Sequence, residues 1–379
     1  MMIQTRCIAC GATLIATQVA AQTFTPLPTS LLRTELTTLS ADGRWAGGVV
    51  LSSGKLIRLD TASDQIETFS PPGVFLGFRA TGISADGNTI VGGNGSTAFR
   101  FDHAPPGPGF SSVTGTGGIA IQNFQPTISD DASTVGFAQV TINPLLTSAV
   151  INRGIGNASL LPVPSNTIFS RTSILSPDGS IAYGPVKLDD GQDQWLAKWS
   201  IDQNSFELLA QIPGTADDSD FLISGATPDG STIVGETFGP DGFGFRFSPD
   251  TGIFAYTAPT AQRLRPRAIT DDGSTIVGTQ RLAPNVFQAV IADETGFQPL
   301  MDMLLSDYPS LATDLAGWTL TEAADISGDG LTIVGRGIDP SGQDRGWYLT
   351  IPSPMTAPVL LLGLAARNRR AHGKQQFNS

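Results

Sequence analysis

Cysteine is almost missing from this 379-residue chain: Cys7 and Cys10 are the only two, and both fall in the first ten residues. The body beyond them has no disulfide, no thiol nucleophile and no thiolate zinc ligand. Histidine is as scarce, and only His103 lies ahead of the C-terminal tail, which nearly excludes Ser-His-Asp chemistry and histidine-based metal sites there. Charged residues make up 15% and aromatics 8%, too little charge for a coiled coil or an acidic disordered segment. No apolar run reaches the roughly 18 residues of a spanning helix.

Glycine and proline are plentiful, 43 and 26 residues, so the chain is expected to be an all-β globular protein dense in turns. The 34 acidic residues outnumber the 22 basic ones and leave a formal charge of -12. Such a surface repels phosphate backbones, and nucleic acid is excluded as a partner.

Residues 1–21 carry one cation, Arg6, then an apolar stretch from Cys7 to Ala20 that ends Val19-Ala20-Ala21 before Gln22. They read as a signal peptide cleaved after Ala21, which makes the protein exported, extracellular or at the cell surface. The rival reading, a lipobox at Ile8-Ala9-Cys10, has no apolar region ahead of its cysteine. Residues 352–379 hold Pro352-Ser353-Pro354, a short apolar segment from Ala357 to Ala366, and Arg367-Asn368-Arg369-Arg370. This order resembles the PEP-CTERM sorting tail, with Ser353 where that family has Glu, an apolar part too short to span a bilayer, and nine residues after the arginines. The resemblance implies removal by an exosortase and only transient membrane contact through the tail. The plain alternative is a disordered basic tail.

One phrase recurs seven times between these ends: LSADGRWAGG from Leu39, ISADGNTIVG from Ile83, ISDDASTVG from Ile128, LSPDGSIAYG from Leu175, ATPDGSTIVG from Ala226, ITDDGSTIVG from Ile269 and ISGDGLTIVG from Ile326. Asp-Gly between apolar alternations is a hairpin signal, so Asp42, Asp86, Asp131, Asp178, Asp229, Asp272 and Asp329 read as turn formers. The third copy has Ala132 in the glycine slot and is one residue short, which predicts a strained turn or one of another type, in the least regular unit. A third and mostly a fourth apolar alternation follow each hairpin, as at Leu56 to Leu59 and Ile66 to Phe69. Four short strands in about 45 residues is the size of a propeller blade.

The expected fold is therefore a seven-bladed β-propeller over residues 22–351, with a strand at Thr23 to Leu27 closing the last blade. A short helix is expected in the insertion from Met301 to about Thr313, over the channel mouth rather than offered to a partner. The repeated phrase, with Gly317-Trp318-Thr319-Leu320 ahead of Ala324-Asp325-Ile326-Ser327, resembles the HAF-repeat extracellular proteins across residues 24 to 351. That resemblance implies a secreted repeat architecture and carries no assigned activity.

Four residues before each phrase stand Glu35, Arg79, Phe124, Arg171, Leu222, Arg265 and Glu322. They are expected to begin the innermost strands and to ring the channel at the end away from the Asp-Gly turns. Arg79, Arg171 and Arg265 are the candidate ligand-binding residues, with Arg263 and Arg267 beside the last. Guanidinium forks suit carboxylate or sulfate groups, so an anionic polysaccharide is the expected ligand, with a surface protein as the other partner. The structural reading of the same arginines is pairing with Glu35, Glu322 or other acids to hold blades together. Asp339 to Asp344 offers calcium-type oxygens but reads as a turn. No cofactor and no metal are expected, and the protein reads as a monomeric binding or structural module. The alternative is a metal-independent carbohydrate-active enzyme, a glycosidase or polysaccharide lyase, working in the channel with carboxylates, Tyr or Arg.

Overall fold

Ser40 and Asp42 show how the repeated phrase becomes a hairpin. In the computed structural model the Ser40 hydroxyl donates to Asp42 Oδ1 at 2.6 Å, and that oxygen also accepts the Arg44 N–H at 3.0 Å. Ser40 Oγ in turn accepts the Trp45 N–H at 2.9 Å, across the mouth of the hairpin. The same hydroxyl-to-aspartate bond recurs at Ser84–Asp86, Ser129–Asp131, Ser176–Asp178, Thr227–Asp229, Thr270–Asp272 and Ser327–Asp329. The Ser176 hydroxyl and Ser180 N–H hold the Asp178 carboxyl down to about 2, and the Ser231 N–H and Thr227 hydroxyl do the same for Asp229. Ala132 keeps the turn and takes φ 59°, in the left-handed region where the matching glycines lie.

The structure describes residues 22–351 except 32, 72–76, 95–96, 105–106, 114–124, 143–144, 155–156, 216–220, 239–241, 257–262 and 295. Residues 1–21 and 352–379, expected to be a signal peptide and a sorting tail, and Phe124 lie outside the described residues. Five separate four-stranded sheets are present among those described, four of them built as a meander. Unit one, for example, runs Thr34–Leu39, Trp45–Val50, Lys55–Asp60 and Gln65–Phe69. The fold is an all-β propeller with five free-standing blades, not seven. Units three and four share one nine-stranded sheet. Their innermost strands shrink to two residues each, Thr127–Ile128 and Ile174–Leu175. The strands that pair with them lengthen to eight, Val135–Ile142 and Ile181–Leu188. The connecting strand Thr167–Ser170 then pairs on both sides, Thr147 with Phe169 in parallel and Phe169 with Lys187 antiparallel.

The last unit has three strands of its own, and Thr23–Pro26 supplies the fourth, pairing Thr23 with Thr350 and Pro26 with Trp347. This closes the blade and covers the edge of Asp344–Thr350. The Asp-Gly turns also join round the axis. Ala85 N–H donates to Asp130 O, Asp130 N–H to Pro177 O, Asp271 N–H to Gly328 O, and Gly328 N–H to Ala41 O, the last linking unit seven to unit one. Ile351 N–H donates to Leu331 O, so the described chain both starts and ends at the turn end of the molecule.

The apolar cores lie between neighbouring sheets. Leu36, Ile57 and Leu59 of unit one meet Val334 and Tyr348 of unit seven, and Val49 and Leu56 meet Phe78, Ile90 and Phe101 of unit two. Third-strand arginines staple these interfaces: Arg58 Nε donates to Gly87 O at 2.6 Å and Arg100 Nη1 to Ala132 O at 3.0 Å, each reaching the turn of the next unit. The helix spans Leu300–Asp307, followed by a 3-10 turn at Pro309–Ala312. It does not cover the channel. Leu300, Met303 and Leu304 pack with Leu311, Leu315, Leu320 and Trp347 between units six and seven, because its apolar face matches that cleft.

A candidate anion site at the channel mouth

The glycine that ends each phrase shapes the mouth. A Cβ on Gly48, Gly92, Gly184, Gly235, Gly278 or Gly335 would overlap the carbonyl oxygen of Glu35, Arg79, Arg171, Leu222, Arg265 or Glu322, respectively. The second strand can therefore lie against the start of the innermost strand at the positions expected to ring the channel. One or two residues later the register slips by a bulge, between Leu36 and Thr38, Ala80 and Gly82, Ile223 and Gly225, Pro266 and Ala268, and Ala323 and Asp325. A bulge re-aims side chains locally. The bulged hydroxyls tie one unit to the next: Thr37 Oγ1 donates to Ala80 O at 2.7 Å, and Ser224 Oγ to Pro266 O at 2.6 Å.

These strands surround a cavity of about 160 Å³ to which every unit contributes, with Thr37, Arg79, Thr81, Thr127, Arg171, Ser173, Leu222, Ser224, Arg267, Glu322 and Asp325 in its wall. Of the three expected ligand residues, Arg79 and Arg171 border it. Arg265 does not; in its unit the wall residue is Arg267, at the position that Thr37, Thr81, Ser173, Ser224 and Ala324 hold in other units.

A chain of ion pairs runs round the mouth. Arg79 Nε lies 3.1 Å from Glu35 Oε1, and Arg336 joins Glu35 at 3.5 Å to Glu322 at 2.9 Å. Arg267 joins Glu322 at 3.2 Å to Glu236 at 3.5 Å, and Glu236 also holds Arg263 at 3.1 Å and Arg265 at 3.3 Å. Arg171 reaches the next unit through Nη2 to Phe221 O at 2.6 Å. The expected structural role of the arginines is thus present, and its acids extend to Glu236. Glu236 and Arg336 follow the phrase directly in units five and seven, cross-strand from Leu222 and Glu322. They are the two charged residues at that position, the signal by which the sequence marked them.

The carboxylates sit beneath the guanidinium groups. The side chains of Glu35 and Glu236 are 1% and 2% exposed, whereas Arg79 and Arg336 are 40% and 32% exposed. Burial pushes the Glu35 carboxyl up despite Arg79 and Arg336; Glu322 is also pushed up by burial, but Arg267 and Arg336 outweigh this and hold it below its ordinary value. Asp325 borders the cavity and accepts the Leu39 N–H at 2.7 Å and the Ile326 N–H at 2.9 Å. Protein packed round its carboxyl pushes it up to about 7 against those hydrogen bonds.

Three arginines of the mouth lie over phenylalanine rings: Arg171 over Phe169 at 5.9 Å, Arg263 over Phe238 at 5.2 Å and Arg265 over Phe287 at 6.0 Å. His103 is elsewhere, 3.3 Å from Glu67 and edge-on to Phe69. Asp339 accepts the Ser341 and Gln343 N–H groups and pairs with Arg345, the arrangement of a turn. Among the described residues no group of three or more His, Cys, Asp or Glu is placed to hold a metal ion. No helix among them is long and apolar enough to cross a membrane.

No family model matches the chain, and no curated protein matches it. Solved structures do resemble it. An oligogalacturonate lyase from Vibrio parahaemolyticus is 10% identical with a TM-score of 0.54, over 89% of this chain and 98% of that one. An oligogalacturonate lyase in complex with manganese is 15% identical with a TM-score of 0.53, over 89% and 95%. The β-propeller domain of Myceliophteria thermophila Cps50 (Swd1) is 10% identical with a TM-score of 0.52, over 86% and 99%. At such identities the likeness is one of fold, and the fold is the propeller.

Proposed function

We propose that the protein is an exported binding module that takes an anionic ligand, a polysaccharide or an acidic surface protein, at the arginine-lined mouth of its channel. The observation that carries this reading is the imbalance of charge there. Arg79, Arg171, Arg263, Arg265, Arg267 and Arg336 stand against Glu35, Glu236 and Glu322, and the most deeply buried of these acids lie beneath the arginines they neutralise. In a protein of net charge -12 this leaves a cluster of guanidinium groups at the mouth, where an anion finds cations against a low-dielectric wall. The shared sheet of units three and four counts in this reading as two blades bridged by Thr167–Ser170, giving seven round the axis.

The cellular address belongs to the same proposal. Residues 1–21 act as the signal peptide and residues 352–379 as a PEP-CTERM-type tail on a HAF-repeat body.

The second reading, a metal-independent polysaccharide lyase or glycosidase, is favoured by Asp325 alone, a cavity-wall acid whose value of about 7 suits a general base. Among the described residues no tyrosine borders the cavity with it. Binding of the full chain to neutral and anionic polymers, beside a variant carrying Arg79→Ala, Arg171→Ala and Arg265→Ala, tests the proposal. Salt-sensitive binding of the anionic polymers, lost in a folded variant, is the expected result; equal binding by the variant overturns it. Chromatography of the bound polymer separates binding from cleavage.

A further inference from the structure

We infer that the anion is a polyuronate, and that its sugar rings lie on an arc of phenylalanines over units four, five and six. This rests on the anion-binding reading of the mouth and specifies its ligand class. Each of the three rings sits beside a cation of the mouth, Phe169 with Arg171, Phe238 with Arg263 and Phe287 with Arg265. Two of the pairs stand side by side, because Arg263 and Arg265 both hold the Glu236 carboxylate. The third joins them through the Arg171 bond to Phe221 O, at the start of the innermost strand of unit five.

All three rings are at the loop end. Phe238 follows the second strand of unit five, Ile233–Thr237, and Phe287 lies one residue into Val286–Ala292, after the hairpin opposite the Asp-Gly turn. Phe238 is 37% exposed, an apolar ring kept in water at the edge of a charged site. Leu282 and Val286 at the same hairpin tip are exposed as well, and Arg281 pairs across the strand with Phe287.

The chemistry that matches is a ligand that repeats an apolar flat face and a negative charge. A 1,4-linked uronate does so: the C–H face of each pyranose stacks on an aromatic ring, and its carboxylate meets the adjacent guanidinium fork. An acidic peptide supplies the carboxylates without a ring face, and an inorganic anion supplies neither repeat nor face. Phenylalanine has no hydroxyl or N–H, so these rings contribute through stacking alone.

The test compares three probes on the full chain by titration calorimetry: alginate oligosaccharides, the same oligosaccharides with their carboxyls reduced to alcohols, and polyglutamate of similar length. The alginate fragments are expected to bind, and the reduced ones to lose binding. Phe238→Ala with Phe287→Ala is expected to weaken alginate binding about tenfold while polyglutamate binding stays unchanged. Phe238→Leu with Phe287→Leu keeps apolar bulk, guards against a folding defect and is expected to show the same selective loss. If alginate binding survives both variants, or polyglutamate binds and alginate does not, the polyuronate inference is overturned and the anion reading stands. If no polyanion binds, both fall together.

Discussion

The carbonyl oxygen of Arg265 occupies the space that a methyl group on Gly278 would need. The glycine that closes the repeated phrase and the arginine that begins the same unit are thus one device, and the repeat is linked to the mouth through backbone contact. Gly278→Ala is expected to destabilise the protein by about 1–3 kcal/mol and to weaken anion binding by displacing Arg265 from Glu236. Urea unfolding and a binding titration on the same variant check both effects; an unchanged midpoint would contradict the close approach.

Ala132 holds a left-handed backbone at φ 59°, where the matching residue of the other units is glycine. Ala132→Gly removes the steric cost of Cβ there and adds some unfolded-state entropy, so a net gain of about 0.5–1 kcal/mol is expected. Thermal unfolding gives the answer, and a lower midpoint would show that the alanine is not strained.

Glu236 is shared by Arg263, Arg265 and Arg267 and is almost wholly covered. Glu236→Gln leaves three guanidinium groups with no common carboxylate, at an expected cost of about 3–5 kcal/mol in stability. The same change raises the positive charge of the mouth and should tighten polyanion binding by about 1 kcal/mol at low salt, roughly fivefold. Opposite movements of stability and affinity are the signature; a joint loss would mean that the acid positions the arginines rather than balancing them.

Asp325, raised to about 7, binds a proton in the folded state that the unfolded chain has released above pH 4. Stability is therefore expected to fall as pH rises from about 4 through 7. Asp325→Asn should flatten that slope, matching the parent near pH 4 and exceeding its melting temperature at pH 8. On the acid side Asp178 and Asp229, held at about 2, contribute stability present above pH 4 and lost as pH falls towards 2. A melting profile from pH 2 to 8 separates the two limbs.

The repeat made the hairpins, their aspartates and the closing strand Thr23–Pro26 legible, because each depends on local turn chemistry or on the period of one unit. The Ser or Thr two residues before each aspartate was equally present in every copy, yet its part became visible only when its hydroxyl was seen to bridge the turn. The ring at Glu35, Arg79, Arg171, Arg265 and Glu322 was legible as a position. Arg265 and Arg267 share one face of their strand by its period of two, so local alternation could not tell which of them borders the cavity; that is decided by the strands of the other units around it.

The sequence by itself determined the turn-dense all-β class, the seven phrases, their Asp-Gly hairpins and the scarcity of thiol and imidazole chemistry, since these follow from composition and from contacts within about ten residues of chain. Tertiary structure alone decided that units three and four share a sheet, that the helix Leu300–Asp307 fills a cleft between blades, and that Glu236 lies beneath three arginines. Those outcomes depend on strands from different units meeting round an axis, where registers, bulges and burial are settled by neighbours dozens of residues away.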